Sequence, residues 1–139
     1  MSYKIVGKYI KKLNFNIPNP KTFFLLSKDI SNYKINIDIK SNQIKDDIVE
    51  VQISLSLKSN ITQDNIINTE IIYSAIIEMS EKNNSKEQIE KIILIDVPTE
   101  IYPELRKIFI FIFESSGFKE IKINEKVDFQ KLLNLRKTQ

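Results

Sequence analysis

Two segments in the middle of the chain alternate apolar and polar residues. The alternation is strict over residues 33–40, and it repeats over residues 49–57 with Val, Ile and Leu as the apolar members. Side chains two residues apart lie on the same face of a strand, so each segment predicts a strand with one buried face. Such half-buried strands are typical of antiparallel sheets. Ser41-Asn42 and residues 45–47 have the composition of turns.

Two further strands are predicted outside this pair. Residues 3–17 follow a period of two, with slips near Gly7 and Ile10 that suit a β-bulge. Pro18 ends this strand because proline cannot donate a ladder hydrogen bond. Residues 67–79 are apolar at most positions, which indicates contact with protein on both faces. A run of strands followed by helices predicts a single α+β domain over residues 1–139, with a four-stranded antiparallel sheet and two helices.

Residues 21–32 are predicted to be an irregular connection, yet they hold more apolar residues than a loop normally carries. Phe23, Phe24, Leu25 and Leu26 follow one another. Two interpretations are open. The segment either caps the protein's own core, with a helical turn as one form, or it forms the wall of an apolar groove.

Residues 107–113 alternate Ile and Phe with little polar interruption, and their intrinsic preference is for strand. The flanks favour a helix. Pro98 suits the first turn, Thr99 can act as N-cap, and Gly117 suits the left-handed stop. We therefore predict a helix through this segment. The polar residues 80–91 before it form either a mobile connection or a short surface helix.

A helix that is apolar on all sides is buried on all sides. One face of a sheet covers only one side of it, so a second subunit is expected to cover the other. The chain is therefore predicted to oligomerise. The candidate interface residues are Ile101, Leu105, Ile108, Phe109 and Ile112.

A second helix is predicted at the end of the chain. Asp128 is placed as its N-cap, and Phe129, Leu132 and Leu133 share one stripe.

Composition excludes most chemistry. The chain has no Cys and no His, which removes thiol nucleophiles, imidazole bases and nearly all zinc sites. We expect no metal and no cofactor. The adjacent Asp46 and Asp47 are carboxylates that acid–base catalysis uses, but a polar turn explains them more simply, so an enzyme is not expected.

The N-terminus lacks the apolar core of a signal peptide. The longest apolar run, residues 108–113, is too short to cross a bilayer. We therefore expect a cytoplasmic protein without direct membrane insertion.

Charge gives a weak indication of partners. With 21 basic and 18 acidic residues, the net charge is +3, and most lysines are interleaved with carboxylates. The nearest approach to a basic cluster is Lys8, Lys11 and Lys12, which suggests a nucleic-acid-binding module as one alternative. The solvated face of a strand is the simpler interpretation, because Tyr9 alone does not make a stacking platform. We expect no nucleic-acid partner.

Several short motifs occur in register along the chain. The N-terminal part is similar to the pattern Tyr-x-Lys-Asp-x-Ser-Phe-Glu-x-Pro, and the C-terminal part to Pro-x-x-x-Phe-Pro-x-x-Arg, Gly-Phe and Asp-Phe-x-x-Leu. Together these motifs resemble the SecB family of bacterial protein-export chaperones. The matching residues are Tyr9, Lys11, Phe15, Pro18, Pro98, Tyr102, Pro103, Arg106, Gly117, Phe118, Asp128, Phe129 and Leu132.

This resemblance implies a function and an assembly. SecB-like proteins form homotetramers as dimers of dimers, hold unfolded preproteins without ATP, and deliver them to the SecA translocase. The implied client groove involves the segment after the first strand, the second strand and the last helix. Its residues here are Phe23, Phe24, Leu25, Leu26, Ile30, Tyr33, Leu132 and Leu133.

The chain departs from the family pattern where SecA is implied to bind. Lys12 stands where the family usually has Asp, Asn16 stands where it has Glu, and Glu70 matches an acidic position. A lysine there would repel the basic module of SecA. Either the partner has diverged as well, or the chain serves another SecB-like role, such as guarding the antitoxin of a toxin–antitoxin system.

Overall fold

The four predicted strands form one antiparallel sheet, which confirms the predicted fold class. The computed structural model of the protein describes residues 3–29, 34–58, 68–80, 85–118 and 121–137. The strand order is β1-β4-β3-β2, so β1 and β2 lie at the edges. The strands are β1 (Tyr3–Asn16), β2 (Lys34–Lys45), β3 (Ile48–Lys58) and β4 (Asn68–Met79).

The strand register confirms two predicted irregularities in β1 and corrects one predicted turn. In β1 the pairing with β4 shifts between Ile5 and Gly7 and again between Ile10 and Lys12, as the slips in the sequence pattern predicted. The turn predicted at Ser41-Asn42 is wrong. Both residues pair with β3, and the chain reverses only at residues 46–47. Continuous pairing with β3 therefore outweighs the local turn preference of Ser and Asn.

The two faces of the sheet differ in composition. The odd-numbered residues of β3 and β4 from Val51 to Ile77 are buried among the helices. The even-numbered residues of these strands lie on the opposite face, which we call the outer face. The outer face is largely polar on β3, where Glu50 is followed by Gln52, Ser54 and Ser56.

The connection after β1 contains a helix, α1 (Pro20–Asp29), so the prediction of an irregular segment is wrong over these residues. Asn19 begins the helix, because its side-chain oxygen accepts a hydrogen bond from the backbone N–H of Thr22 at 2.8 Å. Pro20 fits the first helical position, where no hydrogen bond is lost. Leu26 is fully buried and anchors α1 to the core.

One continuous helical stretch crosses the inner face of the sheet. It consists of α2 (Lys86–Lys91), a π-helical turn (Ile92–Asp96) and α3 (Val97–Ser115). The helix predicted through residues 107–113 is confirmed, and so is the short surface helix among the alternatives for residues 80–91. Gly117 ends the stretch with a φ of 99°.

The predicted N-cap role of Thr99 is wrong, because the helix has already started upstream. The Thr99 hydroxyl instead donates to the Ile95 carbonyl at 2.6 Å. The last helix, α4 (Phe129–Lys137), begins as predicted, since Asp128 accepts a hydrogen bond from the Lys131 N–H at 3.0 Å. Among the described residues, no helix is both long and apolar enough to cross a membrane.

Candidate functional site

An open groove lies between the edge strand β2, the π-helical turn and α4. Its volume is about 330 Å³, within the range of binding pockets. Most of its lining side chains are apolar, and they come from three separate segments of the chain. We call it the β2–α4 groove; it is lined by Asn36, Ile37, Asp38, Ile39, Leu94, Phe129, Leu132, Leu133 and Leu135.

The floor and the rim of the groove have different exposure. Ile39, Phe129 and Leu133 are each less than 9 % exposed, so they form a packed floor. Leu132 is half-buried, and Leu135 at the rim is 53 % exposed. A groove with a fixed apolar floor can bury an additional side chain without first rearranging. It therefore suits an apolar segment of another polypeptide.

Three contacts hold α4 at the groove. The Tyr102 hydroxyl donates to the Asn124 carbonyl at 2.6 Å, and the Arg106 Nε donates to the Ile123 carbonyl at 3.3 Å. The rings of Tyr102 and Phe129 also meet edge to face, with centroids 6.0 Å apart. These contacts tie the extended segment before α4 to α3. The α4 wall of the groove is therefore attached to α3, whose inner side is buried in the core.

The predicted groove residues divide into two sets. Leu132 and Leu133 line the β2–α4 groove, and β2 supplies its other wall. That these two residues contact a client stays a prediction. The apolar residues of α1 are not among its lining residues. Ile30 and Tyr33 lie outside the described residues.

Within α1, the predicted groove residues differ in exposure. Leu26 is fully buried, so its prediction as a client-contacting residue is wrong; its side chain belongs to the core. Phe23 is half-buried and packs on Phe118 with ring centroids 4.9 Å apart. Leu25 is half-buried, and Phe24 is 65 % exposed. Among these four predicted residues, Phe24 therefore has the most surface available to a partner.

The predicted oligomer interface is partly wrong. Ile101, Leu105 and Phe109 are fully buried within the single chain, because they face its own sheet. Ile108 and Ile112 are only half-buried and retain free surface. The sequence pattern could not separate these two groups, since all five candidate residues are apolar.

Other exposed apolar side chains lie near Ile108 and Ile112. Phe111 on the same helix is 68 % exposed, and Ile10 and Leu13 on β1 are each 45 % exposed. Two contacts set β1 beside α3: Lys8 bonds to Glu104 at 2.6 Å, and Phe15 packs on Phe113 at 5.1 Å. Ile10 and Leu13 lie between these contacts. We call these five residues, Ile10, Leu13, Ile108, Phe111 and Ile112, the β1–α3 surface.

The three lysines of the candidate basic cluster are divided between two faces. Lys8 lies on the helix side and bonds to Glu104, whereas Lys12 on the outer face bonds to Glu70 at 2.8 Å. Lys11 bonds to Glu50 at 3.0 Å. Each ammonium group is thus matched by a carboxylate. This arrangement differs from the unneutralised stripe of cations that phosphate binding requires.

The outer face holds a buried carboxylate that the sequence pattern did not reveal. Glu50 is 5 % exposed and accepts hydrogen bonds from the Tyr9 hydroxyl, the Ser74 hydroxyl at 2.7 Å and the Gln52 amide at 3.0 Å, in addition to Lys11. The bond from Tyr9 is the largest of the effects that lower the pKa of Glu50 to about 2. The network ties three neighbouring strands together. Its only sequence signal is a Glu in a strongly alternating strand.

Two further predictions concern Asn16, as a residue that faces SecA, and the adjacent carboxylates Asp46 and Asp47. Asn16 is exposed at the end of β1, opposite Asn68 of β4. Asp46 and Asp47 form the turn between β2 and β3, as the simpler interpretation held. Within the described parts of the chain, no group of three or more acidic side chains is arranged to hold a metal ion.

Comparison with known proteins gives one consistent result. A family model described as preprotein translocase subunit SecB matches residues 1–139. A protein of Pelagibacter ubique, provisionally named protein-export protein SecB, is 38 % identical over 97 % of this chain and 96 % of its own length. Protein-export protein SecB 1 of Gluconobacter oxydans is 23 % identical over 95 % of this chain and 80 % of its own length.

A solved structure has a similar fold. The SecB-like chaperone of Mycobacterium tuberculosis, determined in complex with a ChAD peptide from an antitoxin, aligns with a TM-score of 0.62. The alignment covers 88 % of this chain and 90 % of that chain, at 10 % sequence identity. At this identity the likeness concerns the fold alone.

Proposed function

The chain belongs to the SecB family of protein-export chaperones, and we propose that it holds unfolded preproteins in the β2–α4 groove without ATP and delivers them to SecA. The observation that carries this proposal is the groove itself. The fold leaves this apolar groove open beside the edge strand β2, and its lining includes Leu94 and Leu132. Open apolar surface of this kind marks a binding site for apolar segments.

The groove suits many different clients for a physical reason. Apolar burial contributes about 25 cal/mol per Å² regardless of direction, so a Leu, Val or Phe side chain can each enter. The edge position of β2 adds main-chain hydrogen bonding that is independent of client sequence. Phe24, exposed on α1, offers a further apolar contact for a long client. Because the chaperone binds only the unfolded state of the client, it opposes folding of the client by mass action.

An aggregation assay tests the holding activity. Chemically denatured citrate synthase is diluted into buffer without nucleotide, and light scattering is followed with and without the protein. We expect suppression at equimolar tetramer. Leu132→Asp should abolish it, because a carboxylate in the trough opposes entry of apolar groups. Ile44→Asp is the matched control, since Ile44 is 52 % exposed on the same β2 strand outside the groove. Equal loss in both variants would contradict the assignment of the groove.

We further propose a homotetramer, a dimer of dimers, with the β1–α3 surface as one of its interfaces. Ile108 and Ile112 stay in the proposed interface, and the exposed Phe111 joins them. Size-exclusion chromatography with light scattering should report about four chains for the native protein. Phe111→Asp should reduce this number, whereas Ile44→Asp should not. A native monomer would contradict the proposal.

Delivery to SecA depends on the outer face. Lys12 pairs with Glu70 there and cancels the acidic charge that a basic partner would meet. We expect a peptide with the basic C-terminal sequence of SecA to bind weakly to the native protein. It should bind more tightly to Lys12→Asp, as measured by fluorescence polarisation at low salt. Tight binding to the native protein that Lys12→Asp leaves unchanged would show that this pair does not govern recognition.

The Lys12–Glu70 pair also favours a second candidate role, protection of an antitoxin in a toxin–antitoxin system. In that role no basic SecA module has to be recognised. Co-purification from the native organism separates the two roles by partner identity.

Members of the SecB family are chaperones rather than enzymes, and we propose no catalytic activity for this chain. From the family role we propose the cytoplasm as its compartment, where preproteins await export.

A further inference from the structure

The helical stretch beside the groove contains one turn wider than an α-helix. The Val97 N–H donates to the Ile92 carbonyl, five residues back, across the π-helical turn Ile92–Asp96. Both flanking residues keep ordinary helical backbone angles, with φ and ψ of −60° and −49° at Ile92 and −65° and −48° at Val97. The turn is therefore an insertion of one residue into an otherwise continuous helix.

Burial at the two ends explains why the wide turn is needed. Ile92 is 2 % exposed and Val97 is fully buried, so both point into the core. In an α-helix, residues five apart would point about 140° away from each other. The wider turn brings both onto the same face.

Two local features make the wide turn less costly. Pro98 has no N–H, so an α-helical bond to the Leu94 carbonyl is impossible even without the insertion. The Thr99 hydroxyl donates to the Ile95 carbonyl at 2.6 Å and satisfies an acceptor within the turn. Both residues lie within three positions of the end of the turn.

The middle of the wide turn reaches the groove. Leu94 lines it together with Phe129 and Leu132 of α4, and Leu94 itself is half-buried. Wide turns of this type are rare and are frequently found at functional sites. Without the inserted residue, the backbone would retract towards the helix axis and carry Leu94 away from α4.

We infer that the π-helical turn Ile92–Asp96 is a positioning element of the groove. It places Leu94 against a bound apolar segment, and the register of the turn is maintained by Pro98 and the Thr99 hydroxyl. This inference rests on the proposed holding function and names a residue that contributes to the affinity of the groove for a client. The sequence motifs that indicate the family do not include Leu94.

Deletion of Ile95 tests the inference directly. Ile92 and Val97 then become four residues apart, about 40° in an α-helix, so both core anchors are kept while the wide turn is lost. The probe is fluorescent, reduced and carboxymethylated α-lactalbumin, and its dissociation constant is measured by polarisation. We expect binding about tenfold weaker, equivalent to about 1.4 kcal/mol, and Leu94→Ala should give a similar loss.

Thr99→Val provides a milder change in case the deletion does not fold. It removes the hydroxyl at an exposed position with little change in shape. We expect faster hydrogen exchange over residues 92–97, binding about threefold weaker, and an unchanged melting temperature. Unaltered binding in Thr99→Val would overturn the role of the hydroxyl in maintaining the turn.

A cysteine footprint locates the bound probe. The chain has no native cysteine, so Leu94→Cys introduces a single thiol. The probe should slow alkylation of this thiol but not that of Ile89→Cys, a control on α2 that is 37 % exposed. Full probe binding by the Ile95 deletion and by Leu94→Ala would overturn this inference and leave the proposed function intact. Failure of the native protein to bind the probe would contradict the proposed function itself.

Discussion

Replacement of Glu50 by Gln removes a buried charge while keeping the size of the side chain. Glu50 accepts hydrogen bonds from Tyr9, Ser74, Gln52 and Lys11, so it links β3 to two other strands. An amide in its place offers one acceptor oxygen and turns an N–H₂ group towards several donors. We therefore expect Glu50→Gln to destabilise the sheet, and the loss should depend on pH.

The free energy that ionised Glu50 contributes to stability follows from the shift in its pKa. The folded state lowers the pKa of Glu50 from 4.5 to about 2. A depressed carboxyl pKa contributes stability that is fully present above the unfolded value of 4.5 and is lost as the pH falls towards 2. Each pKa unit corresponds to about 1.4 kcal/mol, so the contribution is about 3 kcal/mol at pH 7. By the same linkage it falls to about 1 kcal/mol at pH 3.

Urea unfolding followed by circular dichroism at pH 7 and at pH 3 measures this difference. Chain concentration is held constant, because oligomerisation also contributes to stability. Glu78→Gln on the neighbouring β4 strand is the control; Glu78 is exposed, and its replacement should cost less than about 0.5 kcal/mol. If Glu50→Gln costs the same at both pH values, the stabilisation does not come from the ionised carboxylate and the reasoning is refuted.

Three further predictions concern stability and are measured by thermal or urea unfolding. Phe109→Ala should cost about 3–5 kcal/mol because it opens a cavity at a fully buried position, whereas Phe24→Ala should cost little; similar costs would contradict the burial pattern. Gly117→Ala should cost about 1–2 kcal/mol, since φ is 99° and the new Cβ would lie 3.1 Å from the Phe23 ring; a neutral result would show that the backbone adjusts freely. Asp128→Ala should cost about 1 kcal/mol by removing the cap of α4, and Asp128→Asn should restore most of it.

Local pattern was sufficient wherever a residue's role depends on its near neighbours. The alternation around Ile37 and Ile53 predicted strands with one buried face, and the pairing of β2 with β3 confirms it. The cap at Asp128 and the left-handed stop at Gly117 were predicted for the same reason. In the candidate site, the helical pattern placed Leu132 and Leu133 on one stripe, whereas their role in a client groove was implied only by the family resemblance and stays a prediction.

Local pattern was insufficient wherever the position of a side chain depends on packing between segments that are distant in the sequence. Leu94 was missed because its place in the groove depends on a wide turn that only the burial of both Ile92 and Val97 requires. Leu26 was predicted to face a client, but packing of α1 buries it. Neither outcome can be derived from residues adjacent in the sequence.

The amino-acid sequence by itself determined the four strands, the helices α3 and α4 and the family, because periodicity, caps and motifs act over a few residues. The tertiary structure alone decided which apolar side chains are buried in the core and which remain exposed at the surface. Phe109 and Phe111 are the same residue type and point about 160° apart on one helix, yet the first is fully buried and the second is 68 % exposed. The difference arises because a sheet covers only one side of the helix that packs on it.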